Sequence, residues 1–300
     1  MKNRGLDYFL LGFLALIWST SFLLIKVSVD SIPPFTLTAG RLTLAAFIFI
    51  AYLAYRRESI PLTPRAILIY VVMGVVGNAL PFALISWGEV FISSSLTALL
   101  MGIMPIFTFI LAHIFISSEP MTRRKTLGVS LGFLGLVVLV GISSLGELGQ
   151  NLVGQLAVLG GATCYAIATV FVRTQPAFEG YKMAAGMSMV AAVISIAMAF
   201  VIEDPLAISP TPVALWSMII LGVFPTALAA LIYFRIINSL GATTFAQINY
   251  IVPVLGGMWG VLFLGETLGL NVFFALAMVM CGIYLVQTRS RKNRMKTEPA

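Results

Sequence analysis

Ten stretches of this 300-residue chain are each roughly twenty residues long and nearly free of charge, at about 8–29, 34–55, 65–86, 90–116, 125–143, 152–173, 181–202, 211–236, 243–264 and 268–288. A bilayer core of about 30 Å is crossed by about 20 apolar helical residues, whereas a barrel strand needs only about 10, in strict alternation. The runs here are long and do not alternate, so the sequence predicts an all-α membrane protein with ten transmembrane helices. Charged residues make up only 10% of the chain, against about 25% in soluble domains. The first run is too long for a signal-peptide core and lacks a small-residue cleavage site, so it reads as the first span. Cys164 and Cys281 fall inside runs and read as buried thiols with no disulfide framework.

The basic residues set the orientation. With the N-terminus cytoplasmic, 16 of the 18 Lys and Arg residues fall in the inner segments or the tail, and the outer loops carry none. The outer side instead holds Asp30, Glu89, Glu147, Glu203, Asp204 and Glu266. Both termini are therefore expected to be cytoplasmic. The charge of +7 then reads as topogenic and lipid-facing, not as a nucleic-acid site. Lys26 and Arg41, the two remaining bases, lie within runs near the outer side and read as snorkelling to the interface, with Asp30, Glu89 or a substrate carboxylate as possible partners.

The third run contains GVVGNALP (Gly74 to Pro81), and 148 positions later the eighth contains GVFPTALA (Gly222 to Ala229). Thr38-Ala39-Gly40 similarly returns as Ala184-Ala185-Gly186, Pro105 as Pro253, and Glu119 as Glu266. Five runs per copy is an odd number, so the second copy must enter from the opposite side. The expected organisation is a 5+5 inverted-topology repeat: 1–147, 148–288 and a basic tail, 289–300. Gly/Pro-interrupted spans at matching places in two halves point to a carrier's binding site.

The stretch from Ala15 to Ala46 (ALIWSTSFLLIKVSVDSIPPFTLTAGRLTLAA) resembles the opening of EamA-type members of the drug/metabolite transporter superfamily. The series Ala98, Pro105, Glu119, Gly128 and Gly135, and its return at Ala246, Pro253, Glu266 and Gly282, is similar too. The resemblance covers nearly the whole chain. It implies a ten-helix carrier of small metabolites, closest to bacterial amino-acid exporters of the YddG type. Asn78 and Phe82 depart from the more aromatic and polar third helix of some aromatic amino-acid exporters.

Asn78, Phe82 and Thr226 are expected to line a cavity beside the broken spans. Trp18 and Tyr165, 147 positions apart and mid-span, are expected there too, because a buried indole N–H needs a partner. Gln247, Asn249 and Tyr250 would give one polar wall, with Met101 opposite as an adaptable apolar one. Pro81, Pro105, Pro225 and Pro253 are candidate hinges. All eleven acids are placed at span ends, loops or tails, which argues against a proton relay and for passive export of apolar or aromatic amino acids by alternating access. Proton-coupled efflux of drugs or cations, or transport of another metabolite, is the alternative. His113 reads as interfacial. Glu119 and Glu266 read as caps of helix starts or as partners of loops. GxxxG at Gly128/Gly132 and at Gly256/Gly260 reads as packing within one bundle, hence a monomer. No nucleophile–base pair, metal cluster or phosphate loop is present, so neither enzymatic activity nor a cofactor is expected; the partners are a small-molecule substrate and membrane lipid in the cell (inner) membrane.

Overall fold

The computed structural model describes residues 4–145, 148–175, 179–255 and 270–287, and all regular structure among them is helical. The first run forms α1 (Arg4–Ser19) and α2 (Ser21–Val29), with a break at Thr20; α3 (Pro34–Arg56) follows. The third run is α4 (Pro64–Gly74), a π-helical segment (Val75–Ala79) and α5 (Leu80–Phe91). The fourth is α6 (Ser94–Met101) and α7 (Met104–Phe115), and then come α8 (Arg123–Leu145), α9 (Leu152–Thr174) and α10 (Gly180–Ile202). The eighth run repeats the third: α11 (Pro212–Leu221), a π segment (Gly222–Leu228) and α12 (Ala229–Leu240). The chain continues as α13 (Ala242–Ala246), the helical residues 248–255 (α14) and α15 (Leu270–Gln287). Seven of the described helical runs are long and apolar enough to cross a bilayer. The latter part of the ninth expected run, with Gly256, Gly260 and Glu266, lies outside the described residues.

Helix starts follow local chemistry. Thr63 and Thr211 are N-caps, each followed by Pro at the first helical position. Their hydroxyls accept from Ala66 N at 3.2 Å and Ala214 N at 3.3 Å. The cap satisfies a donor that the helix leaves free, and Pro has none to lose. Glu119 receives Ala242 N and Thr243 N at 2.9 Å each, the expected capping role, here at the start of α13.

Small residues bring helices together. α3 lies antiparallel against α10: Glu203, just past α10, binds Phe35 N and Thr36 N at the start of α3, while Glu58, just past α3, binds Tyr181 Oη and Lys182 Nζ at the start of α10. The Tyr181 hydroxyl, with Lys182 and Arg56, holds the Glu58 carboxyl below the ordinary carboxylate range. A Cβ on Gly186 would lie 2.5 Å from the Tyr70 ring, and one on Gly40 would lie 2.4 Å from Met218 Sδ. α8 meets α15 backbone to backbone, since a Cβ on Gly282 would sit 2.5 Å from the Gly128 carbonyl. The Gly128/Gly132 pair thus packs inside the chain, against α15 and the Tyr250 ring.

Polar links between loops fall into two groups. One end holds Asp7–Arg235 at 2.9 Å, Arg65–Gln175 at 3.4 Å and Arg173–Glu119 at 3.5 Å. The other holds Ser31–Thr211 at 3.3 Å and Asn151 Nδ2–Phe91 O at 3.1 Å. Large apolar side chains such as Phe9, Phe47, Val193 and Phe273 are 60–68% exposed, as a hydrocarbon-facing surface requires. Cys281 belongs to that exposed surface and Cys164 is half-buried, so neither is the fully buried thiol that the sequence predicted.

The two broken stretches are π-helical, and each solves the same backbone problem with a side chain. Pro225 has no N–H for the Leu221 carbonyl, and Thr226 Oγ1 donates to that carbonyl at 2.7 Å. Asn78 Nδ2 donates to the Met73 carbonyl, also five residues back, at 3.0 Å. Carbonyls left open at membrane depth must be satisfied by protein, and π-helical turns occur often at functional sites. The glycine before or opening each segment admits a neighbouring backbone: a Cβ on Gly74 would meet Met187 O at 2.9 Å, and one on Gly222 would meet Arg41 O at 3.1 Å.

Two stability predictions follow from these contacts. Gly282→Ala should lower stability by about 1–3 kcal/mol through overpacking, while Gly12→Ala, with open space around it, should leave the unfolding temperature in detergent unchanged. Thr226→Val should cost about 1–3 kcal/mol by removing the hydroxyl that accepts from the buried Arg41 guanidinium and donates to the Leu221 carbonyl, and Thr226→Ser should retain most of that stability.

Candidate functional site

Between the two π segments lies a cavity of about 960 Å³, including the part open to the exterior. Its wall is aromatic (Trp18, Phe22, Phe82, Tyr165, Tyr233, Phe245) and thioether (Met73, Met101, Met104, Met187). Asn78, Thr226, Asn249, Ser21 and Thr169 add polar atoms, and among the described residues Arg41 is the single charged side chain in the wall.

The aromatic groups interlock. Trp18 Nε1 donates to the Pro225 carbonyl at 3.1 Å, which gives the mid-span indole its partner at the kink itself. The Phe245 ring stands edge-on between Trp18 and Tyr233, at centroid distances of 5.9 and 5.0 Å. Phe82 meets Tyr165 at 6.2 Å. Asn249 Nδ2 donates to Met104 Sδ at 2.9 Å and to Ala246 O at 3.3 Å.

Arg41 is 3% exposed. Its guanidinium carbon sits 4.0 Å over the Phe82 ring. Nε and Nη2 both donate to Thr226 Oγ1, at 3.1 and 3.0 Å. No carboxylate lies within ion-pair distance of it among the described residues. The snorkelling expected from the sequence does not occur, because the α3 face that bears Arg41 packs inward on the second π segment and on α10.

The two halves place related residues alike but with different chemistry. Gly40-Arg41 corresponds to Gly186-Met187, and Thr226 to Asn78. Arg41 contacts Thr226, while Met187 Sδ accepts from Asn78 Nδ2 at 3.5 Å. One side of the cavity is thus cationic, and its counterpart is a soft apolar sulfur.

Of the residues expected to line a site, Trp18, Asn78, Phe82, Met101, Tyr165, Thr226 and Asn249 come together in this wall. Gln247 and Tyr250 do not. Tyr250 Oη donates to Val129 O at 3.1 Å on α8, and Gln247 is buried with no partner for its amide among the described residues. Among the candidate hinges, Pro225 sits inside the second π segment and lines the cavity. Pro81 and Pro105 occupy the second positions of α5 and α7, and Pro253 lies in α14. Sequence reasoning did not place Arg41, Phe22, Met73, Met104, Met187, Tyr233 or Phe245 in the wall; the signal available for Arg41 and Met187 was their matching place after the repeated glycine.

Near α2, Lys26 Nζ donates to the main-chain carbonyl of Glu89 at 2.8 Å. Glu89 is not an outer-loop residue, as the charge distribution suggested: α5 runs on to Phe91, and Glu89 is 0% exposed. His113 accepts from Met121 N at 3.1 Å in an exposed position. No group of three His, Cys, Asp or Glu side chains gathers as a metal site among the described residues.

The model of the EamA-like transporter family matches residues 6–141 and again 152–288. The chain is 28% identical over 271 residues to a protein named Uncharacterized transporter YoaV of Bacillus subtilis (strain 168), covering 90% of this chain and 92% of that one. It is 27% identical over 288 residues to the S-adenosylmethionine/S-adenosylhomocysteine transporter of Chlamydia muridarum (strain MoPn / Nigg), covering 93% and 90%. It is 24% identical over 277 residues to a protein named Uncharacterized inner membrane transporter YedA of Escherichia coli (strain K12), covering 91% and 88%. A solved structure described only as "Crystal structure of protein" superposes with a TM-score of 0.76 at 19% identity, covering 93% of this chain and 96% of that one. Two matches to one family model, the membrane-length helices and a central cavity agree: this chain belongs to the EamA-like transporter family.

Proposed function

We propose that this protein is an inner-membrane carrier that exports amino acids with apolar or aromatic side chains by alternating access. The observation that carries this reading is the cavity wall: aromatic rings and thioethers with one buried guanidinium. Arg41 would take the substrate carboxylate, since its planar fork suits an oxyanion pair. Phe82, Tyr165 and the methionines would take the side chain, and Asn78, Thr226 and Asn249 would contribute polar contacts. A wall whose only charge among the described residues is positive disfavours cationic drugs, which counts against cation efflux.

The architecture proposed is ten helices in two inverted sets of five, with both termini cytoplasmic and a monomer as the working unit. The antiparallel α3–α10 pair, the two π segments 148 positions apart and the two groups of loop contacts support it. Exchange between outward- and inward-open states would bend the chain at Pro81, Pro105, Pro225 and Pro253. The expectation of transport without a proton rested on every acid lying at a span end, loop or tail; Glu89 does lie in the last turn of α5, but it is buried there and not in the loop.

S-adenosylmethionine and S-adenosylhomocysteine, the substrates in the Chlamydia relative's name, carry an amino-acid carboxylate at one end and a planar base at the other and form the second reading, in which the thioether fits a cationic wall better than the sulfonium does. Counterflow in proteoliposomes with labelled phenylalanine, leucine, glutamate, lysine and S-adenosylmethionine decides between them. Phenylalanine and leucine should exchange, and no exchange of either would remove the amino-acid reading. Arg41→Gln should raise KM about tenfold or more, the equivalent of about 1.4 kcal/mol of lost binding, and Asn78→Leu should lower transport at unchanged expression. Wild-type kinetics in both variants would show that the cavity is not the transport site.

A further inference from the structure

Glu89 is the one acid that the transport reading does not use and that the fold seals completely. It lies on α5, 0% exposed, and neither carboxylate oxygen has a hydrogen-bond donor among the described residues. Lys26, its nearest base, spends its ammonium on the Glu89 main-chain carbonyl at 2.8 Å and not on the carboxylate. Burying an ionised carboxylate without donors is expensive, and an ionisable group inside a membrane span marks a functional site by default.

The elements packed on α5 supply few other charges. α2 brings Lys26, whose ammonium is held on the Glu89 main-chain carbonyl, and α3, which packs on α5, brings Arg41. α6 and the first π segment contain no ionisable residue. α9 meets α5 at this end through Gly154 and Val158, close to Gly88. Its ionisable residues, Cys164, Tyr165 and Arg173, begin six positions beyond Val158, about 9 Å along the axis. The state of Glu89 is therefore set by Lys26, which is fixed on the main chain, and by Arg41, which lines the cavity.

We propose that Glu89 is a proton-binding site of the transport cycle, linked to the occupancy of Arg41 by a substrate carboxylate. The linkage rests on the transport reading above; the proton site itself does not. When a carboxylate occupies Arg41, its negative charge offsets the guanidinium charge felt at Glu89. The neutral form of Glu89 gains, and a proton moves from water onto the carboxylate. When the substrate leaves, the proton leaves with the restored field. Because coupling free energies are reciprocal, acid should in turn favour substrate binding.

The test uses the full chain in lipid nanodiscs with two readouts. Infrared difference spectra across a pH titration, without substrate, should show a protonated-carboxyl band that Glu89→Gln removes. Lys26→Met, which deletes a positive charge at the site, should move that band to higher pH. Phenylalanine added to weakly buffered samples should make the wild type take up protons, and Glu89→Gln should abolish the uptake while still exchanging phenylalanine. A band that persists unchanged in Glu89→Gln overturns the proton site. If Glu89→Gln does not fold, Lys26→Met carries the test, and an unmoved band overturns the proposal. Uptake that survives in a folded Glu89→Gln overturns the linkage. Absence of phenylalanine exchange in the wild type would sink the substrate reading and the linkage with it, leaving the infrared arm to judge the proton site alone.

Discussion

Inside a bilayer every backbone polar group must be satisfied by protein, and this fold is shaped by where that rule is met by side chains. At Thr226 and Asn78 the helix ladder opens into a π turn, and a hydroxyl or an amide closes the carbonyl five residues back. Glycines 74 and 222 let a facing backbone approach the same segments. The Pro225 carbonyl takes the Trp18 indole, and Thr226 takes two nitrogens of Arg41. The cavity is thus lined by side chains that bond to the backbone of the irregular helix turns.

Stretches that match in sequence carry different chemistry at the cavity. Arg41 and Met187 follow matching glycines and pack against matching π segments, yet one is a cation and the other a thioether. That difference suits a substrate with an anionic end and an apolar end. The same divergence appears at Trp18, which is hydrogen-bonded to a kink, and Tyr165, which is paired with Phe82.

Much of this was legible in the sequence. The apolar runs and the recurrence of GVVGNALP as GVFPTALA anticipated an all-helical membrane chain and both irregular segments. Helix rotation was not legible. In runs that are apolar on every side, no periodicity says which face turns inward, so Arg41 was assigned to the interface and Tyr250 to the cavity. Tyr250 instead fills the notch left by Gly132 on α8. Glu89 was misplaced for a second reason: α5 continues past the point where the apolar pattern ends, and only tertiary packing against α2 and α9 shows that its last turn is buried.

The central claim is that the Arg41 guanidinium selects the substrate by its carboxylate. The most direct measurement is competition against labelled phenylalanine counterflow by phenethylamine, which has the same ring and amine without the carboxylate, in the wild type and in Arg41→Gln. The account predicts that unlabelled phenylalanine competes strongly with the wild type and phenethylamine does not, and that Arg41→Gln erases the difference. Equal competition by the two compounds in the wild type would contradict it.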